Sequence, residues 1–101
     1  MRRLIAALLL SSLVGAATAA HAADPESCRT VRISDLGWTD IALTSNTAAK
    51  ILTALGYQPE MQLLGLNVTY EMLKKGDIDV FLGNWRPIQD EQFKSYYDEG
   101  S

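Results

Sequence analysis

Thr30-Val31-Arg32-Ile33-Ser34-Asp35-Leu36-Gly37-Trp38-Thr39-Asp40 is the stretch on which the fold turns. Val31 and Ile33 alternate with polar neighbours, the period of two that marks a short strand over residues 30–34. Beyond the loop, Thr39 or Asp40 stands where a helix N-cap is wanted. Ile41, Ala48, Ile51, Leu52 and Leu55 follow at helical spacing, and Gly56 fits the position just past the C-terminus. The same alternation then repeats. Pro59 opens a second strand over residues 60–64, and Asn67 can cap a short helix holding Val68, Met72 and Leu73 that Gly76 stops. Ile78-Asp79-Val80-Phe81-Leu82 reads as a third strand ending at Gly83, and residues 88–97 as a last helix with Phe93, Tyr96 and Tyr97 as its apolar contacts. The order β-α-β-α-β-α predicts an α/β fold, a parallel sheet with flanking helices.

Upstream of the first strand the chain has a different character. Met1-Arg2-Arg3 is a basic start, residues 4–14 are apolar apart from Ser11 and Ser12, and Ala20-His21-Ala22 is a small-x-small site. These three parts make a secretory signal peptide over residues 1–22, cleaved between Ala22 and Ala23. The run is too short for a membrane span, which needs roughly 20 apolar residues. The expected mature protein, residues 23–101, is therefore exported to the periplasm and not membrane-embedded.

Cleavage removes His21, the only histidine, and with it any histidine-based catalysis or metal site. It leaves seven bases against twelve acids, a net charge of −5. That balance argues against a nucleic-acid partner. Cys28 is the only cysteine, so its partner lies beyond residue 101 or it is a buried, inert thiol. About 80 residues is near the lower limit for a self-sufficient core.

In a parallel α/β sheet, ligands bind outside the carboxyl ends of the strands. Two loops occupy such positions: residues 35–40 after the first strand and residues 83–87 after the third. Each holds a tryptophan close to a glycine, Trp38 and Trp85. If the first strand lies between the other two, these loops are neighbours. Singly, each tryptophan would serve equally as a core or lid residue. As a pair at one rim they suggest a stacking surface, and tryptophan faces are the strongest side-chain partners for quaternary ammonium groups. Asp40 would serve as a helix cap or as a ligand-facing acid, and Asp35 as a turn residue. Asn67-Val68-Thr69 matches a glycosylation acceptor, although helix capping explains Asn67 as well. Lys74-Lys75 reads as a solvated helix C-terminus. Nothing in the pattern calls for a cofactor or a metal.

These residues also resemble a known family. Ser34-Asp35-Leu36-Gly37-Trp38-Thr39-Asp40, Leu55-Gly56-Tyr57 and Gly76-Asp77-Ile78-Asp79-Val80-Phe81-Leu82-Gly83-Asn84-Trp85 are similar to the N-terminal part of the substrate-binding proteins of choline and glycine betaine ABC importers, above all the choline-binding members. The resemblance implies a two-lobed periplasmic binding protein of the type II kind that traps ligand between its lobes. It implies Trp38 and Trp85 as two walls of an aromatic box, with Asp40 near the hydroxyl end of the ligand. A membrane permease is the implied partner. Arg86 stands where a less polar residue is expected and would shift the rim potential. Family members are much longer than residues 23–101, which are therefore expected to be the N-terminal portion of one lobe.

Three functions follow from different premises. A solute-binding component of an importer, which is not an enzyme, fits the exported acidic α/β chain and its paired tryptophans. A sensory module of the same fold would use the same ligand chemistry. A small periplasmic hydrolase would have to work with Asp35, Asp40 and Asp79, since Ser34 lacks a nucleophile-elbow setting.

Overall fold

The computed structural model describes residues 24–100; the signal-peptide segment lies outside them. After a single 3-10 turn at Glu26–Cys28 come β1 (Thr30–Asp35), α1 (Thr39–Ala54), β2 (Gln58–Leu63), α2 (Leu66–Lys75), β3 (Val80–Phe81) and α3 (Asp90–Glu99). The three strands form one parallel sheet in the order β2-β1-β3. β1 pairs with β2 from Thr30↔Gln58 to Asp35↔Leu63, and with β3 at Ile33↔Val80 and Ser34↔Phe81.

β1 is the central strand, and two successive residues on it, Ile33 and Ser34, are fully buried. Successive strand residues face opposite sides, so both faces of the sheet are covered. Ser34 Oγ meets Thr69 Oγ1 of α2 at 2.6 Å, which places α2 on that side. Right-handed crossovers running in opposite directions from a central strand put α1 on the other side. The chain thus makes the expected α/β architecture.

Where the elements differ from the sequence reading, packing explains the difference. The buried or half-buried line of α1 runs Ile41, Ser45, Ala48, Leu52, while Ile51 and Leu55 are exposed. Steps of four and three residues keep that line on the sheet, and Ile51 and Leu55 fall on the flank. Both expected caps are displaced. The extended residues before the helices are Trp38 (φ −78°, ψ 136°) and Gly65 (φ −73°, ψ 155°), and neither makes a side-chain cap. Thr39 and Asp40 therefore sit inside the first turn of α1, and Asn67 inside α2, where its Oδ1 accepts from Gln92 Nε2 at 2.9 Å.

β3 is two residues long because Ile78 is engaged by α2 and the Asp79 carboxylate, not a backbone carbonyl, takes the Arg32 N–H at 2.8 Å. The Ile78 N–H reaches back to the α2 carbonyl of Met72. Arg32 holds the Asp79 carboxylate through Nε at 2.9 Å and Nη2 at 2.7 Å, while the Asp79 N–H donates to the Arg32 carbonyl at 2.9 Å. Gly76 ends α2 in the left-handed region (φ 77°), as its position predicts. Cys28 is exposed, so it is not a buried thiol.

α3 packs against α2, on the same side of the sheet. Phe93 stacks on Tyr70 of α2 with ring centroids 3.7 Å apart and planes 7° from parallel. Phe81 of β3 meets the Tyr70 ring edge-on at 6.0 Å. This cluster sits beneath the loop that joins β3 to α3.

Candidate functional site

The site is built from the two loops that leave the carboxyl ends of β1 and β3. In the first, Asp35 Oδ1 accepts from the Gly37 N–H at 2.9 Å, the self-closing turn for which aspartate is suited. Gly37 takes φ 76°, and a Cβ there would stand 3.2 Å from Leu63 Cδ1 at the end of β2. The chain therefore turns tightly against β2 and delivers Trp38 as the residue that opens α1. The Trp38 carbonyl accepts the Ala42 N–H at 2.8 Å, the first bond of that helix.

In the second loop Gly83 is buried, and a Cβ on it would lie 2.5 Å from Ile41 Cδ1 and 2.7 Å from the Phe81 ring. Only a residue without a side chain lets the backbone pass so close to α1. Two residues on, Trp85 returns to the rim. The Trp85 backbone is held at both ends by Gln89: the Trp85 N–H donates to Gln89 Oε1 at 3.1 Å, and the Trp85 carbonyl accepts the Gln89 N–H at 2.9 Å.

β1 lies between its two neighbours, so the loops are adjacent, and Trp38 and Trp85 meet with ring centroids 5.6 Å apart and planes inclined by 57°. They stay 42% and 44% exposed, although each is among the largest apolar side chains in the chain. A solvent-facing pair of indoles is unusual in a domain with so few buried residues. One cation can lie within the roughly 6 Å cation–π range of both centroids.

Asp40 is exposed in the first turn of α1, two residues from Trp38, and no described residue donates to its carboxylate. Arg86 is engaged by α3: it forms a two-pronged ion pair with Asp90, Nε at 2.7 Å and Nη2 at 3.2 Å, and lies 4.9 Å over the Tyr97 ring. A hollow of about 260 Å³ lined by Asp24, Arg29, Leu55 and Tyr57 belongs to the opposite, amino-terminal end of the strands.

The three acids of a hydrolase are not brought together. Asp79 pairs with Arg32, an odd number of residues before Asp35 on β1 and so on the opposite face of the sheet. Hydrogen bonds from Arg32, first from its side chain and then from its backbone, hold the Asp79 carboxyl below the usual carboxylate range. That keeps it an anion, the wrong state for a general acid.

Sequence reasoning missed Gln89 and Tyr70. Gln89 is 5% exposed, whereas its apolar neighbour Ile88 is 80% exposed, the reverse of what hydropathy suggests. Burial and the hydrogen bond to Tyr97 raise the Tyr70 phenol above its ordinary pKa, so it remains a hydrogen-bond donor beside Gln89. A buried polar side chain has no periodic signature in a sequence, and neither residue could have been found by one.

With this geometry in place, comparison with known proteins supplies the family context. The family described as the substrate-binding domain of ABC-type glycine betaine transport systems matches residues 29–101. The solved structure of an ABC-transporter choline binding protein in complex with choline is 52% identical, with a TM-score of 0.74 over 77% of this chain and 27% of that one. A structure of an ABC-transporter choline binding protein in an unliganded semi-closed conformation is 53% identical, with a TM-score of 0.69 over 75% of this chain and 26% of that one. Uncharacterized protein ORF1 of Chromohalobacter salexigens is 36% identical over 91 residues, 90% of this chain and 59% of that protein. The chain thus spans about a quarter of the solved choline-binding proteins and somewhat over half of the Chromohalobacter relative.

Proposed function

The chain belongs to the family of substrate-binding domains of ABC-type glycine betaine transport systems, and from that premise we propose that it binds choline, ahead of glycine betaine, for uptake by a membrane permease. The observation that carries this reading is the Trp38–Trp85 pair, exposed at the carboxyl ends of β1 and β3 with centroids 5.6 Å apart. It has the chemistry that a trimethylammonium group needs. Such a cation has no N–H to donate, so carboxylates alone discriminate it poorly from sodium or ammonium. Ring faces recognise its size, charge and greasy methyl surface together.

Asp40 supplies the second element of selectivity. Its carboxylate can accept from the hydroxyl of choline but repels the carboxylate of betaine. Arg86 could have reversed that preference by attracting the betaine carboxylate. Its ties to Asp90 and Tyr97 offset that attraction. The net charge of −5 on residues 23–101 also favours a cationic ligand at long range. In this reading the protein acts in the periplasm, carries out no covalent chemistry, and encloses its ligand between this lobe and a second one.

Isothermal titration of the full-length protein with choline, glycine betaine and ethanolamine tests the proposal. Choline should bind tightest and ethanolamine, which has the hydroxyl without the methyl groups, should bind weakly or not at all. Absence of heat with every quaternary amine would refute the function.

A further inference from the structure

The loop that carries Trp85 has no strand pairing of its own, yet the Trp85 backbone is bonded at both its N–H and its carbonyl, and both bonds go to one residue. Gln89 is buried at the start of α3. Its Oε1 accepts the Trp85 N–H at 3.1 Å and the Tyr70 hydroxyl at 3.4 Å, and its Nε2 donates to the Gly83 carbonyl at 3.4 Å. The amide orientation follows from these partners, since two donors face the oxygen and a carbonyl faces the nitrogen. Its backbone N–H takes the Trp85 carbonyl as well, so both polar groups of the Trp85 backbone end on this residue. Beside it the Tyr97 hydroxyl, 3.3 Å from that of Tyr70, donates to Asn84 Oδ1 at 3.1 Å and so holds a second residue of the loop.

We propose that Gln89 is a positioning residue of the ligand site: its buried carboxamide fixes the Trp85 backbone and thereby the angle between the Trp85 and Trp38 indoles. An apolar residue would satisfy burial equally well. Only a side chain with an acceptor and a donor on one short planar group can bridge the Trp85 N–H and the Gly83 carbonyl at once. The functional consequence rests on reading the two tryptophans as ligand walls, but the geometry can be tested without any ligand.

Two indoles this close and inclined couple excitonically, giving a couplet in far-ultraviolet circular dichroism. In the full-length protein the couplet is isolated as the difference between each spectrum and that of the same protein carrying Trp38→Phe. Gln89→Met keeps length and removes both polar functions. It should collapse the couplet and weaken choline binding about fivefold or more, the loss expected for one buried hydrogen bond. Gln89→Glu keeps the acceptor for Trp85, and in mildly acidic buffer also the donor for Gly83, so it should retain the couplet there. Ile78→Val, a core change outside the loop, should lower Tm yet leave the couplet and the choline affinity intact. A normal couplet in Gln89→Met, or an equal loss in Ile78→Val, would overturn the proposal. If Gln89→Met does not fold, a folded Gln89→Glu protein without the couplet would overturn it in the same way. Failure of the wild-type protein to bind choline would remove the proposed ligand, while the couplet would still decide the role of Gln89.

Discussion

Replacing Gly83 with alanine probes the steric half of the arrangement. The added Cβ would stand 2.5 Å from Ile41 Cδ1 and 2.7–2.8 Å from two atoms of the Phe81 ring. Ordinary carbon contacts begin near 3.5 Å, so each overlap is roughly 1 Å. Ile41 is 1% exposed and has nowhere to move, and the Phe81 ring is braced edge-on by Tyr70. The strain must then be taken by the loop backbone, which carries Trp85 two residues downstream. Overpacking of this kind costs about 2 kcal/mol, within the usual 1–3. It should lower Tm by several degrees. The effect on choline is bounded by the whole worth of the Trp85 wall, about 2 kcal/mol or roughly thirtyfold. A partial displacement should therefore weaken binding about tenfold. Thermal melts and isothermal titration on the same preparations supply both numbers. Wild-type Tm and wild-type affinity together would show that the loop does not depend on the close pass at Gly83.

Other substitutions separate the remaining contributions. Trp38→Ala or Trp85→Ala should each weaken choline binding by about 2 kcal/mol, more than tenfold, with phenylalanine milder at either site; normal affinity with an early melt would make that tryptophan a core residue instead. Asp40→Asn should narrow the preference for choline over betaine, and an unchanged ratio of the two dissociation constants would remove Asp40 from the selectivity argument. Asp79 is held below its ordinary pKa by Arg32, so its stabilisation is complete above the unfolded carboxylate pKa of about 3.9 and fades as pH falls through the lower folded value. Asp79→Asn should therefore melt earlier at neutral pH and lose less Tm on acidification than the wild type; parallel Tm-against-pH curves would contradict this.

Much of the fold was legible because local rules and tertiary packing agree. Val31 and Ile33 alternate with polar residues and do form a strand, and Gly37, Gly56 and Gly76 stand where the backbone takes positive φ. The pairing of the tryptophan loops needed one further condition, a central first strand, and the sheet order β2-β1-β3 meets it. What could not be read depends on contacts between distant residues. The rotation of α1 about its axis is set by the sheet beneath it, so Ile51 and Leu55 have the right spacing and the wrong side. The length of β3 depends on Met72, which takes the Ile78 N–H, and on the Asp79 carboxylate, which takes the Arg32 N–H that a longer ladder would use. Ser34 with Thr69, and Gln89 with Trp85 and Tyr70, are polar groups that burial makes favourable only through each other. A pattern that assigns polar residues to the surface passes over both sets.

The central claim is that Trp38 and Trp85 hold a quaternary ammonium group at the carboxyl ends of β1 and β3. A crystal structure of the full-length protein grown with choline measures this most directly. The trimethylammonium group should lie within about 6 Å of both indole centroids, with the choline hydroxyl within hydrogen-bond distance of the Asp40 carboxylate. Choline bound away from both rings, or a crevice at the two loops that stays free of ligand under saturating choline, would contradict the account.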